Sequence, residues 1–119
     1  GSPAMGDEGA EALVEALVVG SGAIEWLHLI DCGLARVPGR ITWLPRLQHL
    51  FVNDNPRLGD EGVGALVDAL AAHSSIVHDL SLANCGLTRV PAAIGDVLRL
   101  EVLALDGNKR LFDEGAAAL

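Results

Sequence analysis

The chain has 119 residues, 50% hydrophobic and 20% charged, a composition that suits one folded domain and excludes a disordered chain. Sixteen Asp plus Glu against eight Lys plus Arg give a net charge of -8, so the average field repels phosphate backbones and anionic headgroups, and nucleic acid and membrane surfaces are excluded as partners. No apolar run approaches the roughly 20 residues that cross a bilayer.

Residues 1–5 have neither a basic start nor an apolar core, so they are read as an expression scar or a disordered end, not a signal peptide. Gly6-Asp7-Glu8-Gly9 opens the first element, a helix with apolar residues at Leu13, Ala16 and Leu17. Asp7 is the expected N-cap, and Glu8 suits the positive end of the helix dipole. A strand follows, with Ile24, Leu27 and Leu29 closed by Cys32. Cys32-Gly33-Leu34, Arg36-Val37-Pro38, Ile41 and Leu44 then trace a return path in which proline and short length favour an extended segment or a tight helical turn. The next strand carries Leu47, Leu50, Val52 and Asn55, and Gly59-Asp60-Glu61-Gly62 opens a second helix with Leu66, Ala69 and Leu70 on one side. Val77, Leu80, Leu82 and Cys85 mark a third strand, and Gly86-Leu87-Thr88-Arg89-Val90-Pro91, Ile94 and Val97 a second short return. Leu100, Leu103, Leu105 and Asn108 mark a fourth strand before Asp113-Glu114-Gly115 starts the helical signal again.

The elements repeat. Shifting the chain by 53 residues lays Gly6 on Gly59, Cys32 on Cys85 and Pro38 on Pro91, and about half of the aligned positions carry the same residue, far above chance. Within each period the pattern L-x-x-L-x-L-x-x-(N or C) starts at 24, 47, 77 and 100, so short and long units alternate. In a short strand alternate side chains point inward, which sends Leu27 and Leu29 to a core and one strand per unit to a parallel sheet. Asn55 and Asn108 are expected to bond the turns of neighbouring units in a ladder, where Cys32 and Cys85 fill the same slot as small apolar groups.

These residues identify the chain as a member of the leucine-rich repeat superfamily, from Gly6 to Leu119. The long units, with Asn55, Leu58-Gly59-Asp60-Glu61-Gly62 and alternating Cys and Asn, are similar to the ribonuclease-inhibitor class, which includes the repeat domains of NOD-like receptors and Ran GTPase-activating proteins. The short units resemble the typical class of Ras-signalling scaffolds and plant receptor proteins. The resemblance implies an α/β fold, a right-handed solenoid with about four parallel strands on a concave face and helices or extended segments on the convex side. It also implies protein binding on the concave sheet. Residues 6–119 are read as one repeat domain, in which a partial helical repeat precedes the unit that starts at 24, and as a fragment of a longer protein.

The outward strand positions then define the candidate site. Trp26, His28, Ile30, His49 and Phe51 form one aromatic and apolar patch on neighbouring strands, the composition of interface anchors. Asp31, Asp54 and Asp79 join it as partner-binding candidates, while Ser81, Ala83, Val102 and Ala104 continue the face as small or plain residues. Coverage by an upstream repeat explains the same patch. Trp43 and Phe112 are expected to fill gaps on the convex side or in loops.

Other chemistry finds little support. His28, His49, Asp31 and Asp54 share a face but not a metal-ligand spacing. Cys32 and Cys85 occupy ladder slots, Ser81 has only Asp79 and Ala83 beside it on its strand and no triad, and no phosphate loop exists. Arg36 and Arg89 repeat at matching loop positions, where the solvated edge residue is a much stronger reading than an arginine finger. The reading is a cytoplasmic protein-interaction module with no enzymatic activity, catalytic residue, metal or cofactor. Two rivals stay open: a regulator of a small GTPase, and a self-assembling segment that associates weakly through uncapped ends at Ala116 to Leu119.

Overall fold

The computed structural model describes residues 6–20, 23–73 and 75–111. The expectations for residues 1–5, for Phe112 and for the terminal Ala116 to Leu119 lie outside these. The elements run α1 (Gly6–Val19), β1 (Trp26–His28), a first 3-10 turn (Gly39–Trp43), β2 (His49–Phe51), α2 (Gly59–Ala72), β3 (Asp79–Ser81), a second 3-10 turn (Ala92–Asp96) and β4 (Val102–Ala104). The four strands form one parallel sheet in chain order. Backbone bonds carry the ladder past each three-residue strand, as in Leu29 N–H to the Phe51 carbonyl and Val52 N–H to that of Ser81. This α/β architecture, with helix and 3-10 turn alternating along the return path, is the one expected from the unit lengths.

One face of the sheet is packed. Leu27, Leu29, Leu50, Val52, Leu80 and Leu82 are buried there together with Val63, Leu66, Val67 and Leu70 of α2 and Ala10 and Val14 of α1. Leu66 and Leu70 are buried as expected, but the stripe of α1 differs by a step from the expected one: Leu13 and Leu17 are only partly buried, and Ala16 is exposed. In the fourth unit Leu103 and Leu105 are half-buried, while Leu111 is buried.

The asparagine ladder forms as expected. Asn55 is completely buried. Its Oδ1 accepts from the backbone N–H groups of Cys32 (3.0 Å) and Leu34 (3.1 Å), and its Nδ2 donates to the carbonyls of Leu29 (2.7 Å) and Val52 (2.8 Å). Asn108 repeats the set one period on, accepting from Cys85 (2.8 Å) and Leu87 (3.1 Å) and donating to Leu82 and Leu105. Each amide thus satisfies turn groups that burial would otherwise leave unpaired.

The aspartates at the helix starts are not N-caps. The residue before α2 is Leu58, which makes no side-chain cap bond. Asp60 instead reaches forward to the next short unit, accepting from the Thr88 (2.9 Å) and Arg89 (3.4 Å) backbone N–H groups and from the Thr88 hydroxyl. Asp7 makes the equivalent bonds to Ala35 (3.0 Å) and Arg36 (3.2 Å). A helix-start carboxylate therefore staples one unit to the next. The cap reading failed because a neighbouring unit brings two unpaired amides closer than the helix's own first turn. Burial pushes the Asp60 carboxyl up, but the hydrogen bonds from Thr88 and Arg89 and the Arg89 charge outweigh it and hold it below the usual carboxylate range.

Candidate functional site

The other face of the sheet is open, and strand register decides what stands on it. Trp26, His49, Asp79 and Val102 form one row across the four strands, and His28, Phe51, Ser81 and Ala104 the next. Large rings therefore lie side by side on β1 and β2, and small side chains continue the rows on β3 and β4.

The rings touch. Trp26 stacks on His49 with centroids 3.6 Å apart and planes 12° from parallel. Phe51 lies 6.0 Å from Trp26 and 4.7 Å from His28. His49 Nδ1 is 3.0 Å from Asp79 Oδ2, so the carboxylate orients an imidazole already held flat by the indole. Trp26 stays 53% exposed despite these contacts. The structure thus brings together Trp26, His28, His49, Phe51 and Asp79, with Ile30 half-buried one position beyond.

Asp31 and Asp54 stand apart, on the turns that follow β1 and β2. Both are exposed and adopt left-handed backbone, with φ of 53° and 61°. Asp54 accepts a hydrogen bond from Asn84 Nδ2 at 3.1 Å.

Sequence reasoning missed His78, whose ring meets that of His49 edge-on at 4.7 Å. The signal was there: two residues, not one, separate the inward Val77 from the inward Leu80, so His78 and Asp79 both turn outward. Ser81 is a second correction. It sits in an outward row yet is buried, because its hydroxyl donates to Asn53 Oδ1 and the larger Phe51 stands beside it in register.

Trp43 does not fill a gap. It is 60% exposed on the first 3-10 turn, with the Arg40 guanidinium 4.3 Å above its ring and Arg40 paired to Glu15 at 2.8 Å. Arg36 is exposed, as a solvated edge residue is, and it is also paired: its Nε (3.2 Å) and Nη2 (3.0 Å) both donate to Glu11 Oε1, and this hydrogen bond and charge hold the guanidinium pKa up. Cys32 and Cys85 are buried free thiols, and burial pushes Cys85 up to about 11, which keeps it neutral and unreactive. Among the described residues no three His, Cys, Asp or Glu side chains converge as a metal site, and no helix is long and apolar enough to cross a membrane.

A parallel sheet built one strand per unit, closed by an Asn ladder and presenting an open face, defines a repeat protein. Comparison with known proteins agrees: the family described as Leucine Rich repeat matches residues 45–67. The mouse (Mus musculus) ribonuclease inhibitor is 33% identical over 94 residues, covering 71% of this chain and 20% of its own length. The chain belongs to the leucine-rich repeat superfamily. It spans about one fifth of the length of that relative. No solved structure matches it.

Proposed function

We propose that this chain is a protein-interaction module that holds a partner protein on the open face of its sheet, with no enzymatic activity of its own. One observation carries the reading. Trp26, His28, His49 and Phe51 form a contiguous ring cluster on that face, and Trp26 remains 53% exposed. Large side chains of this kind supply most of the energy of protein interfaces, and a rigid sheet presents them without an ordering cost. Asp79 fixes His49 in place, Ile30 follows at the next outward position after β1, and Asp31 and Asp54 stand on the turns beyond β1 and β2. The name of the mouse relative says that it inhibits ribonucleases, so purified ribonucleases are the first candidates to assay. A regulator of small GTPases is the alternative, tested by GTP hydrolysis with and without the domain. The engagement of Arg36 by Glu11 and Asp7 disfavours it, because a finger must be free to enter the GTPase site.

The test is a photo-crosslinking side chain placed at Phe51, with a control at Asp68 on the exposed side of α2. The proposal expects one protein to be caught from position 51 and lost when Trp26→Ala is added. Capture of the same protein from position 68, indifferent to Trp26→Ala, would move the binding surface to the helical side.

A further inference from the structure

The internal repeat makes one half of the chain a template for the other. Shifted by 53 residues, α1 falls on α2 and β1 falls on β3. In the second period β2 leads into α2, shares a core with it and pairs with β3. In the first period no strand holds the equivalent place among the described residues, because β1 is an edge of the sheet and pairs only with β2. Helix α1 therefore floors a slot one strand wide.

The side chains register the difference. Leu66 and Leu70 of α2, and Val77 ahead of β3, are buried. Leu13, Leu17 and Ile24 stand 53 positions earlier and are only partly buried. The residue types match, and the neighbouring strand is what differs.

The backbone agrees. Along β3 the carbonyls of Ser81 and Ala83 accept from the N–H groups of Val52 (3.0 Å) and Asp54 (2.9 Å), and the Asp79 N–H donates to the Gln48 carbonyl (3.2 Å). The equivalent groups of the first period are the carbonyls of His28 and Ile30 and the N–H of Trp26, and by the same register they face the slot. β1 itself reads Trp-Leu-His and carries none of the lysines, acids or prolines that blunt an edge against pairing.

The same template identifies the occupant. In the second period the strand over α2 turns Leu47, Leu50 and Val52 inward, at positions i, i+3 and i+5. Each strand of a second copy leads into a return path of its own, which would contend with α1 for the space beneath the slot. An extended segment without such a return path fits, since main-chain bonds to an edge hold it and pockets for alternate side chains select it.

We infer that the outer edge of β1, above α1, takes an extended apolar segment of a partner protein as an added parallel strand, with side chains i, i+3 and i+5 turned onto Leu13, Leu17 and Ile24. This edge is distinct from the open face, although Trp26 borders both.

The probe is a capped peptide of residues 46–55, the β2 sequence itself, titrated into the whole chain and followed by NMR. Shifts should fall on the amides of residues 26–30 and on the methyl groups of Leu13, Leu17 and Ile24. Leu50→Asp in the peptide, or Leu17→Asp in the protein, should weaken binding at least about tenfold, since either removes a buried leucine contact. If Leu17→Asp does not fold, the peptide variant carries the test with the protein unaltered. Phe51→Ala in the protein, on the open face, should change the affinity by less than about twofold. Absence of shifts at about 1 mM peptide, shifts centred on His49, Phe51 and Asp79, or an affinity indifferent to both aspartate substitutions would overturn the inference. So would light scattering in which the chain alone dimerises and the dimer is lost on Leu17→Asp, because the slot would then belong to a second copy.

Discussion

Asn55 shows how much one side chain can decide in a repeat protein. Its amide uses both of its donors and both lone pairs of its oxygen on backbone groups of two successive turns. Removing it strands at least two buried N–H groups, each at about 1 to 3 kcal/mol. Asn55→Ala should therefore lower the melting temperature by roughly 10 °C or more, given the few degrees per kcal/mol typical of small domains. Gln48→Ala should move it little, and equal melting of the two variants would refute the ladder. Asp60 acts by charge as well as geometry. Its folded pKa is depressed, so its contribution is present above the ordinary carboxylate pKa and is lost as pH falls through the folded value. Asp60→Asn should be destabilising near pH 7 and nearly neutral near pH 2, read from urea midpoints across that range. A constant difference at all pH values would reduce Asp60 to a shape-filling role.

The elements are held in register by close backbone approaches as much as by leucines. Gly86 has φ of +72°, and a Cβ there would lie 2.4 Å from the Pro56 carbonyl oxygen. The turn of one unit thus rests directly on the turn of the previous one. Gly86→Ala combines a left-handed backbone with a clash against main chain, neither of which a rotamer change relieves. It should cost several kcal/mol, on the order of a core truncation, whereas Gly64→Ala in α2, where nothing lies within 4 Å of the added carbon, should be neutral or mildly stabilising. Thermal melts of the two variants separate these outcomes, and a stable Gly86→Ala would mean the turns are not in contact. Most of this element-level structure was legible in the sequence, because the L-x-x-L-x-L pattern fixes which side chains turn inward regardless of neighbours. The helix-start aspartates were misread because their partners, Ala35 and Thr88, lie 28 residues away in sequence. Local propensity sees only the helix's own first turn. The inward stripe of α1 was off by a step for a related reason: Leu13 and Ala10 both suit a helix, and only the sheet beneath decides which one is covered.

At the scale of the whole molecule the two sides of the sheet divide the work. One side buries the leucines and the helices, and the other holds a ring cluster at β1 and β2 that gives way to small residues at β3 and β4. The ring cluster was legible because it needs only strand alternation and parallel pairing. His78 and the buried Ser81 were not, since both depend on contacts between units: an imidazole edge reaching His49, and a hydroxyl captured by Asn53. Ser81 is for that reason a poor neutral control, whereas Ala104, in the same row, has a side chain with no polar group and serves as one. On the proposed binding role, the energy of association is concentrated at the β1–β2 end of the open face. The most direct measurement is the affinity of the protein crosslinked at position 51 for purified Trp26→Ala, Phe51→Ala, Ala104→Ser and Asp68→Ala variants, each shown to melt cooperatively. Trp26→Ala and Phe51→Ala should each weaken binding by about 2 kcal/mol or more, while Ala104→Ser and Asp68→Ala should stay within about 0.5 kcal/mol of the parent. Affinity that ignores Trp26 and Phe51 and collapses on Asp68→Ala would contradict that role.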